Sequence, residues 1–201
     1  CIKSCKEEPY SSNPTGNNNL EQTNAEFSDW STPVNLGPVI NSVYIDAQPF
    51  LSKNKLSLFF TSDRPGTTGD LDILVSERAD LNSPWGPPRN LGANINSVVG
   101  DGPPCFSYDE HWLYFASDRA GGCGGNDIYV AHRHNKDDNF GWEPAVNLGC
   151  VINSPFNDVG PNLFQDDELG ITTMYFGSDR PGGLGNGDFW MSILQPDGTF
   201  G

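Results

Sequence analysis

The sequence predicts an all-β chain assembled from three copies of one four-stranded unit, and three observations carry that expectation. Apolar residues come in short runs bounded by turn residues, as in "LSLFFTSDRPG" and "HWLYFASDRAGG", and no stretch holds a helical period. Glycine (23) and proline (16) are frequent enough to punctuate such runs along all 201 residues. The chain also repeats. Trp30, Trp85 and Trp142 lie 55 and 57 residues apart and open the phrases "WSTPVNLGPVINS", "WGPPRNLGANINS" and "WEPAVNLGCVINS".

Residues 1–29 precede the first repeat. They are polar and rich in Ser, Asn and Pro, with little to bury, and read as a flexible tether. A cysteine at position 1 followed by such a linker resembles a mature bacterial lipoprotein, with Cys1 acylated and the domain anchored to a membrane by lipid alone. No apolar run is long enough to span a bilayer.

The repeats divide the rest of the chain into 30–84, 85–141 and 142–201. Four residues after each I-N-S comes an aspartate, then a proline three further on: Asp46/Pro49, Asp101/Pro104 and Asp158/Pro161. The apolar runs then end in Ser-Asp-Arg, with Asp63–Arg64, Asp118–Arg119 and Asp179–Arg180. Nine residues beyond each of those aspartates stands another, Asp72, Asp127 and Asp188, opening the next apolar run. Each repeat therefore reads as four short strands: the "PVNL" phrase, the segment after Asp-x-x-Pro, the run into Ser-Asp-Arg, and the run after the second Asp. Four strands recurring at this period describe the blades of a β-propeller. The chain opens on an outer-strand phrase and ends after inner strands, so the blades are offset by one strand. Three blades are too few to close a ring; further blades, or a homodimer making six, would complete it.

A catalytic centre is needed once, whereas a fastening is needed once per repeat. The Ser-Asp-Arg and second-Asp residues are accordingly expected to be structural, each arginine pairing with a neighbouring carboxylate to lock a glycine-rich turn. Asp46, Asp101 and Asp158 are placed at the mouth of the propeller channel. There they are candidates for a ligand or for a cation such as Ca2+, or else caps of their own loops. No other cofactor is expected.

Of five cysteines, Cys123 and Cys150 fall on one face and are a disulfide candidate, which fits an oxidising compartment. Cys105 reads as a buried free thiol, and Cys5 lies in the tether. His132 and His134 share a strand face, but no third ligand is evident beside them, so no metal site is expected. His111 lies in the turn "SYDEHW". No nucleophile elbow, P-loop, dinucleotide fingerprint or zinc-protease motif is present, so no catalytic residue is assigned.

The W-x-x-P-x-N-L-G, I-N-S, S-D-R-P-G-G and D-[IF]-[YWL] phrases resemble the WD40-like propeller repeats of TolB-type and related bacterial envelope proteins. That resemblance covers residues 30 to about 195. It implies an extracytoplasmic propeller, periplasmic or attached to the outer membrane, serving as a non-catalytic platform for protein binding. The formal charge of −15 repels nucleic acid and suits cations, basic partners or neutral glycans. The function expected is thus a cell-envelope scaffold whose partner is an envelope protein or a glycan. The alternative is a carbohydrate-binding or glycoside-hydrolase-type propeller using the channel carboxylates. Specific recognition should sit where the repeats differ, in turns such as "SYDEHW" and at aromatics such as Tyr44, Tyr108 and Phe156.

Overall fold

A computed structural model describes residues 31–201. The expected tether, with Cys1 and Cys5, and Trp30 lie outside the described residues. Among those described, every regular element is a β-strand. The first sheet holds β1 (Asp46–Leu51), β2 (Ser57–Ser62), β3 (Asp72–Glu77) and β4 (Arg89–Asn90). The second holds β5 (Cys105–Phe106), β6 (Trp112–Ser117), β7 (Asp127–His132) and β8 (Val146–Asn147). β9 (Asp158–Asp166), β10 (Ile171–Ser178) and β11 (Asp188–Ile193) form a three-stranded sheet. Strands follow one another in chain order within each sheet, and every pairing is antiparallel.

The expected one-strand offset is visible. β4 and β8 come from the "RNLG" and "VNLG" phrases of the following repeat and close the preceding sheet. The first "PVNL" phrase forms no strand, and β11 has no fourth strand beside it among the described residues. The first two sheets therefore straddle the repeat boundaries, each borrowing its last strand from the next phrase.

What fixes these borrowed strands is an asparagine clamp. The Asn96 carboxamide accepts from the Ile73 N–H at 2.9 Å and donates to the Ile73 carbonyl at 2.9 Å. Asn153 does the same to Ile128, at 2.7 and 3.0 Å. Each clamp satisfies both backbone groups of a buried strand residue and leaves no polar orphan. Gly92 and Gly149, at φ 87° and 81°, make the turn that brings the asparagine back.

The central strands are apolar on both faces because sheets cover both sides of the second sheet. Leu113, Phe115, Tyr129 and Ala131 pack with Phe59, Ile73 and Val75 of the first sheet, together with Phe106 and Trp142. On the opposite face Tyr114 and Ile128 pack with Met174 and Phe176 of the third. Burying each such side chain contributes about 1.5–3 kcal/mol. In the third sheet the residues equivalent to Tyr114, Ile128 and Val130 are Tyr175, Phe189 and Met191. These are exposed, Phe189 at 92 %.

Candidate functional site

Each of the three Asp-x-x-Pro aspartates is bound into the same knot. Asp101 accepts from the Ser97 N–H at 2.5 Å, the Ser97 hydroxyl at 2.9 Å and Arg119 Nη2 at 2.5 Å. Asp158 accepts from Ser154 N–H at 2.6 Å, its hydroxyl at 2.9 Å and Arg180 Nη2 at 2.5 Å. Asp46 accepts from Ser42 N–H at 2.6 Å, the Ser42 and Ser62 hydroxyls at 2.7 and 2.8 Å, and Arg64. Burial pushes the Asp46 carboxyl up, but the bonds from Arg64, Ser42 and Ser62 outweigh it and hold the pKa down at about 2. Each arginine also donates through Nη2 to the isoleucine carbonyl of its I-N-S phrase, Ile40, Ile95 or Ile152.

This arrangement corrects two expectations. Asp46, Asp101 and Asp158 are not open ligand or cation candidates at a channel mouth: the cation each carboxylate holds is an arginine. The arginines, in turn, do not pair with their neighbours in sequence. Asp118 accepts from the Gly100 N–H at 3.0 Å, while Asp63 and Asp179 accept from Ile45 and Asn157 N–H, both at 2.7 Å. Asp72 takes the amides of Thr68 and Gly69, Asp127 those of Cys123 and Gly124, and Asp188 that of Gly185. The Asp and Arg of each Ser-Asp-Arg phrase and each second Asp thus make hydrogen bonds that recur from sheet to sheet, but the ion pair joins the arginine to the Asp-x-x-Pro aspartate instead of closing one turn.

Cys123 and Cys150 form the expected disulfide, with Cα atoms 5.6 Å apart, tying the glycine-rich turn of the second sheet to the link into the third. Cys105 is buried and free, and burial raises its thiol pKa.

The non-repeated chemistry gathers at the other end of the second sheet. Trp112 begins β6 and is 41 % exposed; in the other sheets its place is taken by Ser57 and Thr173. Register sets Trp112 opposite His132 at the end of β7, and their rings lie 4.4 Å apart. His111 sits 6.3 Å from the same imidazole, and its Nδ1 is 2.8 Å from the Arg133 carbonyl, which can only accept, so that nitrogen donates. Tyr108, in the same turn, is exposed beneath the Lys53 ammonium, which stands 2.9 Å from the ring centre. Tyr44 and Phe156 are exposed as well.

Glu143 completes this cluster, and sequence reasoning missed it. Its N–H donates to the His132 carbonyl at 2.8 Å, and with the isolated Arg133–Trp142 bridge beside it this bond carries the carboxylate to both imidazoles. Glu143 Oε2 lies 3.6 Å from His132 Nδ1 and Oε1 lies 2.9 Å from His134 Nε2. The available signal was the acid after Trp142, where the first two phrases have Ser31 and Gly86.

Arg133, between the two histidines, points the other way and is 1 % exposed. It donates to the Glu110 carbonyl and to Asn139, and lies 4.5 Å over the Trp142 ring. Arg78 over Trp85 at 4.4 Å is its counterpart in the first sheet, which marks it as framework.

No protein-family model and no curated protein matches the chain. Among solved structures, a Hadza microbial sialidase is similar with a TM-score of 0.52 at 14 % identity, over 77 % of this chain and 36 % of that one. A thermostable family-43 glycoside hydrolase gives 0.50 at 11 % identity, over 79 % of this chain and 51 % of that one. The likeness is one of fold. The chain spans only about a third to a half of the length of these two proteins.

These neighbours correct the expectation of a WD40-like, TolB-type periplasmic lipoprotein, for which they give no support. The folds matched are glycoside-hydrolase propellers. The physical reason lies in the motifs themselves. N-L-G, I-N-S and S-D-R are clamps and knots that hold sheets together, and such fastenings specify a sheet without specifying what a propeller binds.

Proposed function

We propose that the three sheets are blades of a β-propeller and that the chain is a glycan-binding module. Its site is the non-repeated end of the second sheet, around Trp112. The observation that carries this reading is an exposed indole held by His132, in a turn that also presents Tyr108. An aromatic face stacks on the C–H face of a sugar, while the flanking imidazoles and the Glu143 carboxylate supply donors and acceptors for hydroxyls. The fold likeness to glycoside hydrolases supports the same substrate class. Recognition does not use Asp46, Asp101 or Asp158, whose oxygens are occupied by serine and arginine donors. The Cys123–Cys150 disulfide supports an extracytoplasmic location.

The test is an oligosaccharide array followed by titration of tryptophan fluorescence with any ligand found. Trp112→Ala should abolish binding while leaving the melting temperature within a few degrees. An intact ligand affinity in that variant would move the site elsewhere, and an array with no positive glycan would sink the substrate class. A homodimer is part of the same reading: the exposed face at Tyr175, Phe189 and Met191 is the one that in the other two sheets packs on the next blade. Light scattering that returns only the monomer mass of 21.9 kDa overturns it.

A further inference from the structure

We propose that His132, His134 and Glu143 form a binding site for a transition-metal dication of the Zn2+, Ni2+ or Cu2+ type. His132 ends β7 and His134 lies two residues on, in the bend that follows; their rings stand 4.8 Å apart while the buried Arg133 turns into the protein between them. Glu143 arrives on the segment that leads into β8, held by its N–H on the His132 carbonyl, and already reaches both rings, one carboxylate oxygen to each. One ligand atom from each of the three residues falls within a set whose members all lie within 4.8 Å of one another. Donors bound to one zinc ion at about 2.0–2.2 Å sit roughly 3–3.6 Å apart. The contacts of 2.9 and 3.6 Å, one from each Glu143 oxygen, lie close to that separation, and the wider spacing within the set, up to 4.8 Å, closes as the exposed His134 swings in.

The site is ordered on one side and adaptable on the other. His132 is half-buried and packed against the tilted ring of Trp112, whereas His134 is 84 % exposed on its side chain and free to swing onto an ion. Two imidazoles and one carboxylate are the donor set of open zinc sites, with water completing the shell. The set disfavours Ca2+ and Mg2+, which take oxygen ligands. His111 stays outside it, its Nδ1 being committed to the Arg133 carbonyl. The three donors are also particular to the second sheet: the first has Glu77, Ala79 and Gly86 at these places. A fastening would recur; this cluster does not. The inference stands apart from the glycan reading and needs no sugar.

The test is calorimetric titration of the full 201-residue chain with ZnCl2, in a Cys1→Ser, Cys5→Ser background so that neither sulfur can compete for the metal. Ni2+ quenching of tryptophan fluorescence serves as the local readout. One equivalent of Zn2+ should bind with micromolar affinity, and Ni2+ should quench stoichiometrically through Trp112. His134→Ala and Glu143→Gln alter exposed side chains and should fold normally, yet each should weaken binding at least tenfold. Failure to bind Zn2+ at millimolar concentration overturns the proposal. So does binding that both variants retain unchanged.

Discussion

Arg119 donates to Asp101, eighteen positions earlier in the chain, at 2.5 Å, and leaves the adjacent Asp118 to a backbone amide. The Asp101 side chain is fully buried, so its removal strands a guanidinium with no carboxylate. Asp101→Ala should therefore cost about 3–5 kcal/mol, the range for breaking one partner of a buried pair. Asp118→Ala removes one hydrogen bond and should cost about 1 kcal/mol. Urea unfolding of the two variants measures the difference. Equal losses would mean that the sequence-adjacent aspartate carries the fastening after all.

Acid should loosen the first knot in a defined window. The Asp46 carboxyl is held at about 2 against an ordinary value of 3.8, so the unfolded chain takes up its proton first as pH falls. Stability from this group is fully present above pH ~4 and is lost as pH drops through ~2, by at most about 2 kcal/mol. Unfolding free energies between pH 2 and 6 should show that slope, and Asp46→Asn should flatten it. An unchanged slope in the variant would assign the acid sensitivity to other carboxylates.

Reduction of Cys123–Cys150 opens a loop with a sequence separation of 27 residues. Chain entropy puts its contribution at about 3 kcal/mol. A reductant should lower the unfolding midpoint accordingly, and Cys123→Ser should reproduce the shift. Insensitivity of both would show that the strands alone hold the link into the third sheet.

Two equivalent glycines should respond oppositely to a methyl group. At Gly124 a Cβ would stand 2.3 Å from the carbonyl oxygens of Ser154 and Phe156, so Gly124→Ala should cost about 2 kcal/mol or more. At Gly185, the same place in the third sheet, nothing lies within 4 Å. Gly185→Ala should be neutral or stabilise by about 0.5 kcal/mol through the unfolded state. Thermal melts settle the comparison; a costly Gly185→Ala would mean that a further segment packs there in solution.

Much of the architecture was legible because its signals are local. The runs into Ser-Asp-Arg and out of the second Asp became β2, β3, β6, β7, β10 and β11, and the disulfide joined the two cysteines that the repeat placed on one face. The residues misread were those whose partners are set by pairing across strands. Glu143 was passed over because only the bridge of Trp142 to Arg133 and the bond from its own N–H to the His132 carbonyl bring it to His132 and His134. Arg133 gave no sign of burial, since a charged residue between two histidines on a strand end reads as surface.

By itself the sequence determined three sheets, their chain order, the one-strand offset and the recurrence of the Asp and Arg motifs in each sheet. Period, turn residues and repetition are properties of neighbouring positions, and neighbouring positions are what a strand or a tight turn is made of. The tertiary structure alone decided that Arg119 answers to Asp101, that Asp46, Asp101 and Asp158 are each held by a serine and an arginine, and that Phe189 stands bare where Ile128 is covered. Those outcomes depend on which sheet lies against which, and burial, the term that gives a charge or a ring its energetic weight, exists only once the sheets have packed.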